Sequence, residues 1–122
     1  MFNRLIAVSM IAAATALPAF AGEADVETAT ATRAGDGTWT FNVTVRHADE
    51  GWDHYANRWD VIAPDGTVLG TRTLFHPHEN ERPFTRSLAG VAVPDGVNAV
   101  TIRANDSVHG EGGREFTVDL AE

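Results

Sequence analysis

The sequence predicts an all-β fold: an antiparallel seven-stranded β-sandwich that follows an N-terminal signal peptide. Three observations carry this. Apolar and polar residues alternate with period two in several windows. No window shows the 3.6-residue period of an amphipathic helix. Asp-Gly turn signals recur between the alternating runs.

Residues 1–21 stand outside the fold. Arg4 gives a positive start, Leu5 to Leu17 is an apolar stretch without a charge, and Ala19-Phe20-Ala21 has the small-x-small pattern that precedes a peptidase cut. The apolar run is short for a membrane span, which needs about 20 residues. The expected domains are therefore 1–21, a signal peptide, and 22–122, a β-sandwich.

Within 22–122 the clearest strand is Thr38 to Arg46, where Trp39, Phe41, Val43 and Val45 form one apolar face. Trp59, Val61 and Ala63 form a second such set. Val100, Ile102 and Ala104 form a third, and Phe116, Val118 and Leu120 a fourth. Weaker patterns place further strands at Val26–Arg33, Thr67–Leu74 and Phe84–Val91. Ala34-Gly35-Asp36-Gly37, Pro64-Asp65-Gly66 and Pro94-Asp95-Gly96 read as tight turns, in which Gly takes the positive φ that closes the turn. Seven short strands in about a hundred residues resemble an immunoglobulin or fibronectin-III sandwich. Trp59 then resembles the buried tryptophan of such a sandwich's third strand. The resemblance is architectural and implies no activity, because this scaffold hosts many.

Composition removes several function classes. The chain has no cysteine, which excludes disulfides, thiolate metal sites and cysteine nucleophiles. It has no lysine either, which excludes a Walker-type phosphate loop and Schiff-base chemistry. Both methionines, Met1 and Met10, fall in the leader, so residues 22–122 carry no sulfur. Those residues keep eight arginines against 17 carboxylates, a net charge of −9. A surface this acidic, with no basic run, disfavours nucleic acid and anionic membranes. The expected location is periplasmic or secreted, with no stable membrane anchor after the leader is cut.

Chain direction concentrates the chemistry. Consecutive antiparallel strands put alternate connections at opposite ends of the sandwich. The three odd connections are the tight turns. The three even ones contain or adjoin all five histidines: His47 and His54, then His76 and His78, then His109. The same end gathers Asp49, Glu50, Asp53, Glu79, Glu81, Asp106 and Glu111, with Trp52, Tyr55, Phe75 and Phe84 beside them.

His76-Pro77-His78 is the sharpest local element, because extended residues two apart point the same way and Pro77 stiffens the pair. His109 from the neighbouring loop and His54 complete the expected metal-ligand set: His54, His76, His78 and His109. Imidazole nitrogens suit divalent copper or zinc, whereas a sulfur-based copper store or blue-copper centre is excluded. His47 continues the inward parity of Val43 and Val45 and reads first as a core residue. Asp106, Ser107 and His109 have a hydrolase triad's composition without a nucleophile elbow. The expected function is metal handling rather than catalysis, in a periplasmic or secreted β-sandwich that binds a metal ion and in which a protein of the same compartment can be a partner. The alternatives are a protein- or glycan-interaction module anchored by Trp52, Tyr55 and Phe75, a hydrogen-bonded histidine network that only fixes the loops, with Asp106 or Glu79 as partners, and a small hydrolase using a metal-bound water.

Overall fold

The computed structural model describes residues 22–120. The expected leader, residues 1–21, lies outside the described residues. The described residues contain seven strands and no α-helix: β1 (Asp25–Arg33), β2 (Trp39–Arg46), β3 (Ala56–Ile62), β4 (Val68–Thr73), β5 (Phe84–Val91), β6 (Ala99–Asp106) and β7 (Phe116–Asp119). Each lies within two or three residues of the range that alternation predicts.

The strands form two antiparallel sheets, ordered β1-β2-β5 and β4-β3-β6-β7. Their inward residues share one core. Phe41, Val43 and Val45 of β2 and Phe84 of β5 meet Trp59 and Val61 of β3 and Val100 and Ile102 of β6. Trp59 is fully buried on the third strand, as its parity predicts. Truncating so large a core side chain to alanine costs about 3–5 kcal/mol.

The two ends of the fold differ. At one end Gly37, Gly66 and Gly96 take φ values of 89°, 93° and 91°, the region that favours glycine in tight turns. Asp36 and Asp65 accept hydrogen bonds from the backbone N–H of Thr38 and Thr67 at 3.0 and 2.9 Å, closing two of those turns. The other end carries the longer β2–β3, β4–β5 and β6–β7 connections.

Two inward stripes run past the apolar core into that second end. On β2, burial alternates through Phe41, Val43 and Val45 and continues to His47 and Asp49 just beyond the strand. On β6 it passes from Val100 through Ile102 and Ala104 to Asp106. The pleat thus directs polar side chains from opposite sheets into one buried space.

Candidate metal centre

Asp106 is the hub of this space. It ends β6 in register with Ala56, the first residue of β3, and its side chain has no solvent exposure. The chain then folds back, with reciprocal 2.8 Å backbone hydrogen bonds between Asp106 and Gly110. Gly110 has φ 78°, which permits the reversal. The turn aims three donors at one carboxylate oxygen. Oδ2 accepts from the backbone N–H of Val108 at 2.9 Å, from that of His109 at 2.6 Å, and contacts His109 Nδ1 at 2.9 Å. The other oxygen, Oδ1, faces inward and has no aligned hydrogen-bond partner.

Two imidazoles converge on that oxygen. His47 Nε2 is in direct contact with Oδ1, and His54 Nε2 lies 2.8 Å from it. Neither His54 Nε2 nor Oδ1 has the alignment of a hydrogen bond, although both are buried. The opposite ring nitrogens are engaged. His47 Nδ1 lies 2.5 Å from Asp49 Oδ1, and His54 Nδ1 lies 2.7 Å from Glu50 Oε1. In the neutral ring a carboxylate on Nδ1 holds the hydrogen there, so that Nε2 becomes a lone-pair donor once the imidazolium has lost its second proton. His47 Nε2, His54 Nε2 and Asp106 Oδ1 thus form a three-atom group able to hold a metal ion, with ligand atoms within 4.8 Å of one another. On the same side the backbone oxygen of Gly22 accepts a hydrogen bond from protonated His47 Nε2 at 3.3 Å.

Asp49 is a second hub. It accepts from the backbone N–H of His78 at 2.5 Å and from that of Ala56 at 3.2 Å, so one carboxylate ties the β4–β5 loop to the start of β3. The His78 ring stacks on Phe84 with centroids 4.0 Å apart, and the His76 ring lies 4.9 Å from it. His78 Nδ1 is buried without a hydrogen-bond partner and 3.8 Å from Asp49 Oδ2. His54 is 5.0 Å from His109 and 5.1 Å from His47, ring centre to ring centre. All five histidines therefore belong to one connected network, as chain direction predicts. His54 and His109 meet around Asp106, His78 meets Asp49 and has His76 beside its ring, and His47 joins the two carboxylates. Asp106 takes the part of network partner for which the sequence offers Asp106 or Glu79, whereas Asp49 is a hub that the sequence reading places only among the carboxylates of this end.

Burial and charge act against each other here. Burial pushes the His47 imidazole down, but the Asp49 hydrogen bond and the Asp106 charge outweigh it and hold the pKa above the ordinary value. His54 is raised likewise: burial opposes, while Glu50, Asp106 and the Gly22 backbone win. Burial would raise Asp49 and Asp106, but bonds from His47, His78 and Ala56 lower the first, and bonds from His109 and Val108 lower the second. His78 is lowered by burial, with the Arg86 and His76 charges adding to it. At neutral pH the hubs are ionised and His78 is neutral.

Ser107 is not placed as a nucleophile. Its hydroxyl accepts a hydrogen bond from the backbone N–H of Tyr55 at 2.9 Å, fastening the β2–β3 and β6–β7 loops together.

Comparison with known proteins gives one informative relative. The chain is 42% identical over 97 residues to a protein of Halomicrobium mukohataei described as "Putative lipoprotein". The match covers 80% of this chain and 47% of that protein, so the chain spans about half the length of the curated relative it matches. No family model matches the chain, and no solved structure matches it. Among the described residues no helix is long and apolar enough to cross a membrane.

Proposed function

We propose that this chain is an extracytoplasmic, immunoglobulin-like β-sandwich that binds a divalent transition metal at its histidine end. The fold assignment is supported by the three-plus-four strand partition and the buried tryptophan on the third strand. The leader pattern in residues 1–21 and the description of the Halomicrobium relative support a periplasmic or secreted location. The 122 residues contain no cysteine, so they carry no thiol through which lipid could be attached.

One observation carries the metal reading: both His47 and His54 have Nδ1 engaged by a carboxylate, while both Nε2 atoms face one otherwise unpaired carboxylate oxygen. Two nitrogens and one oxygen, with a further position open, suit zinc or divalent copper. The surrounding carboxylates and the net charge of −8 lower the cost of holding a dication and draw it from solution. The role is metal binding and transfer rather than catalysis.

Calorimetric titration with Zn(II) and Cu(II) tests this. The expected result is one ion per chain, lost in a His54→Ala variant that keeps its β-sheet circular dichroism. A His76→Ala/His78→Ala variant distinguishes the two ligand sets. Retained affinity leaves the ion with His47, His54 and Asp106, whereas lost affinity moves it to the set His54, His76, His78 and His109. A wild-type chain that binds neither metal overturns the proposal.

A second reading has its own observation. Trp52 and Phe75 at the same end are 66% and 75% exposed, and Trp52 meets Tyr55 edge to face with centroids 5.7 Å apart. Exposed aromatics beside the histidines are the anchors a protein- or glycan-binding module would use. Capture of a partner from the same compartment, lost in Trp52→Ala/Phe75→Ala and indifferent to chelation, favours it.

A further inference from the structure

We propose that the α-amino group of Gly22, freed when the leader is cut after Ala21, is a ligand of this metal centre, so that export processing completes the site. The inference rests on the metal reading above and on the cut that Ala19-Phe20-Ala21 marks.

Position is the first ground. The Gly22 carbonyl oxygen lies 3.3 Å from His47 Nε2, on the side where His47 and His54 face Asp106 Oδ1. Three bonds separate a residue's backbone nitrogen from its own carbonyl oxygen, so the two atoms are never more than about 3.6 Å apart. The Gly22 nitrogen therefore lies within about 3.6 Å of an oxygen that itself touches His47 Nε2, so one turn about its own Cα–C bond can present it to the same ion. Amine nitrogen and carbonyl oxygen of one residue can close a five-membered chelate ring on a metal, and glycine carries no side chain to obstruct it.

The second ground is that the approach is built. Ala24 and Val26 are buried in the core. The backbone N–H of Val26 donates to Arg114 O at 2.8 Å, and that of Arg114 donates to Asp25 Oδ1 at 2.8 Å. Gly113 lies so close to this segment that a Cβ there would sit 1.9 Å from Ala24 O, and a Cβ on Gly112 would sit 2.6 Å from Glu23 Oε2. Gly113 thus lets the β6–β7 loop lie directly against the Ala24 backbone, and this close approach, with the Arg114 bonds, seats residues 24–26 and directs Gly22 toward the histidines.

The third ground is an unmet need at the site. Asp106 Oδ1, on a side chain without solvent exposure, and buried His54 Nε2 both lack a hydrogen-bond partner there. Two imidazole nitrogens and one carboxylate oxygen leave a four-coordinate ion one ligand short.

The chemistry of the cut supplies that ligand. In the uncut chain the Gly22 nitrogen is an amide whose lone pair is delocalised into the carbonyl of Ala21, and it is a poor donor. A peptidase consumes one water: the C–N bond breaks, the hydroxyl joins the Ala21 carbonyl carbon, and the nitrogen leaves with the hydrogen as an amine. The amine binds once it has lost its ammonium proton. The chain would thus load its ion fully only after export.

The test compares three forms that share all seven strands and the core: the chain beginning at Gly22, the same chain acetylated on its α-nitrogen, and a chain extended by Phe20-Ala21. Each is titrated with Cu(II) and examined by electron paramagnetic resonance. The free-amine form should bind at least about tenfold tighter than the other two, the scale lost with even an outer ligand partner. Its spectrum should show three coupled nitrogens, and theirs two. Equal affinity and equal nitrogen count in all three forms overturn the inference and leave the metal reading standing. No binding by any form overturns both. Gly113→Ala, which displaces the N-terminal segment, should weaken the free-amine form toward the level of the acetylated one.

Discussion

Asp60 and Asp106 are both buried carboxylates on the central strands β3 and β6 of the same sheet, and their surroundings differ in kind. Asp60 faces away from the core between guanidinium groups. Its Oδ2 accepts from Arg58 at 2.6 Å and from Arg103 at 3.3 Å, its Oδ1 accepts from the Thr71 hydroxyl at 2.8 Å, and Glu111 holds Arg58 from behind at 2.7 Å. Both oxygens are satisfied by aligned donors, two of them on permanently charged groups. Asp106 meets three imidazoles instead, and the oxygen that faces two of them has no aligned hydrogen-bond donor. A carboxylate saturated by arginine is a fastening. A carboxylate faced by histidine nitrogens, which can exchange a proton for a metal near neutral pH, has the chemistry that the proposed site needs.

The largest expected effect separates the two residues. Asp106→Asn should lower Zn(II) or Cu(II) affinity more than 100-fold and cost the metal-free protein about 3 kcal/mol, since it breaks a fully buried ion-paired cluster. In the unmodified protein, zinc at 100 times Kd should add about 2.7 kcal/mol, and the variant should show none of that gain in a thermal melt. Asp60→Asn should cost about 1–2 kcal/mol, reduced because Arg58 and Arg103 keep access to water, and should leave metal affinity unchanged. Loss of metal binding in Asp60→Asn would break the distinction.

A pH series sharpens it. His47, faced by Asp49, Asp106 and His54, and His54, faced by Glu50, Asp106 and His109, have pKa values raised above 6.5 in the folded state. Their stabilisation is complete below about 6.5 and is lost as pH rises through the folded values. Asp49 and Asp106 have lowered values, so their contribution is present above about 4 and is lost as pH falls through the folded ones. His78, lowered, loses stability as pH falls below 6.5 and partly offsets the other two histidines. The metal-free protein should therefore be most stable between about pH 4 and 6.5, while metal affinity rises with pH as protons leave the imidazoles. Denaturant midpoints with and without zinc check the two opposite slopes. The smallest effect is expected for Glu111→Gln, which removes one partly exposed partner of Arg58 and should cost a few tenths of a kcal/mol.

The strands and the polarity of the two ends were legible because both follow from period-two alternation and chain reversal, which are local. The expectation that all five histidines gather at one end rests on the same two rules, and the network bears it out. The hubs were harder to read. The Val43 and Val45 parity reads His47 as core, and the same parity carries it inward to face Asp106. The alternation Val100, Ile102, Ala104 ends its apolar members one step of two before Asp106, so hydrophobicity alone does not mark that residue as inward. A stripe that turns polar while keeping its parity is the signal available in the sequence. The pairing of His47 with Asp106 was not available, because it depends on which sheet faces which across the core. The proximity of Gly22 likewise depends on long-range packing, through Gly112 and Gly113 against residues 23 and 24.

His47 projects from the end of β2 and Asp106 from the end of β6, and these strands belong to different layers. An ion bound between them would be a rivet through the two halves of the molecule, in a chain that has no sulfur crosslink to serve that purpose. Force that slides one layer over the other would have to break coordination first. Chelation should then do more than empty a pocket: it should loosen the whole histidine end, seen as faster amide exchange in its three long connections while the tight-turn end keeps its protection.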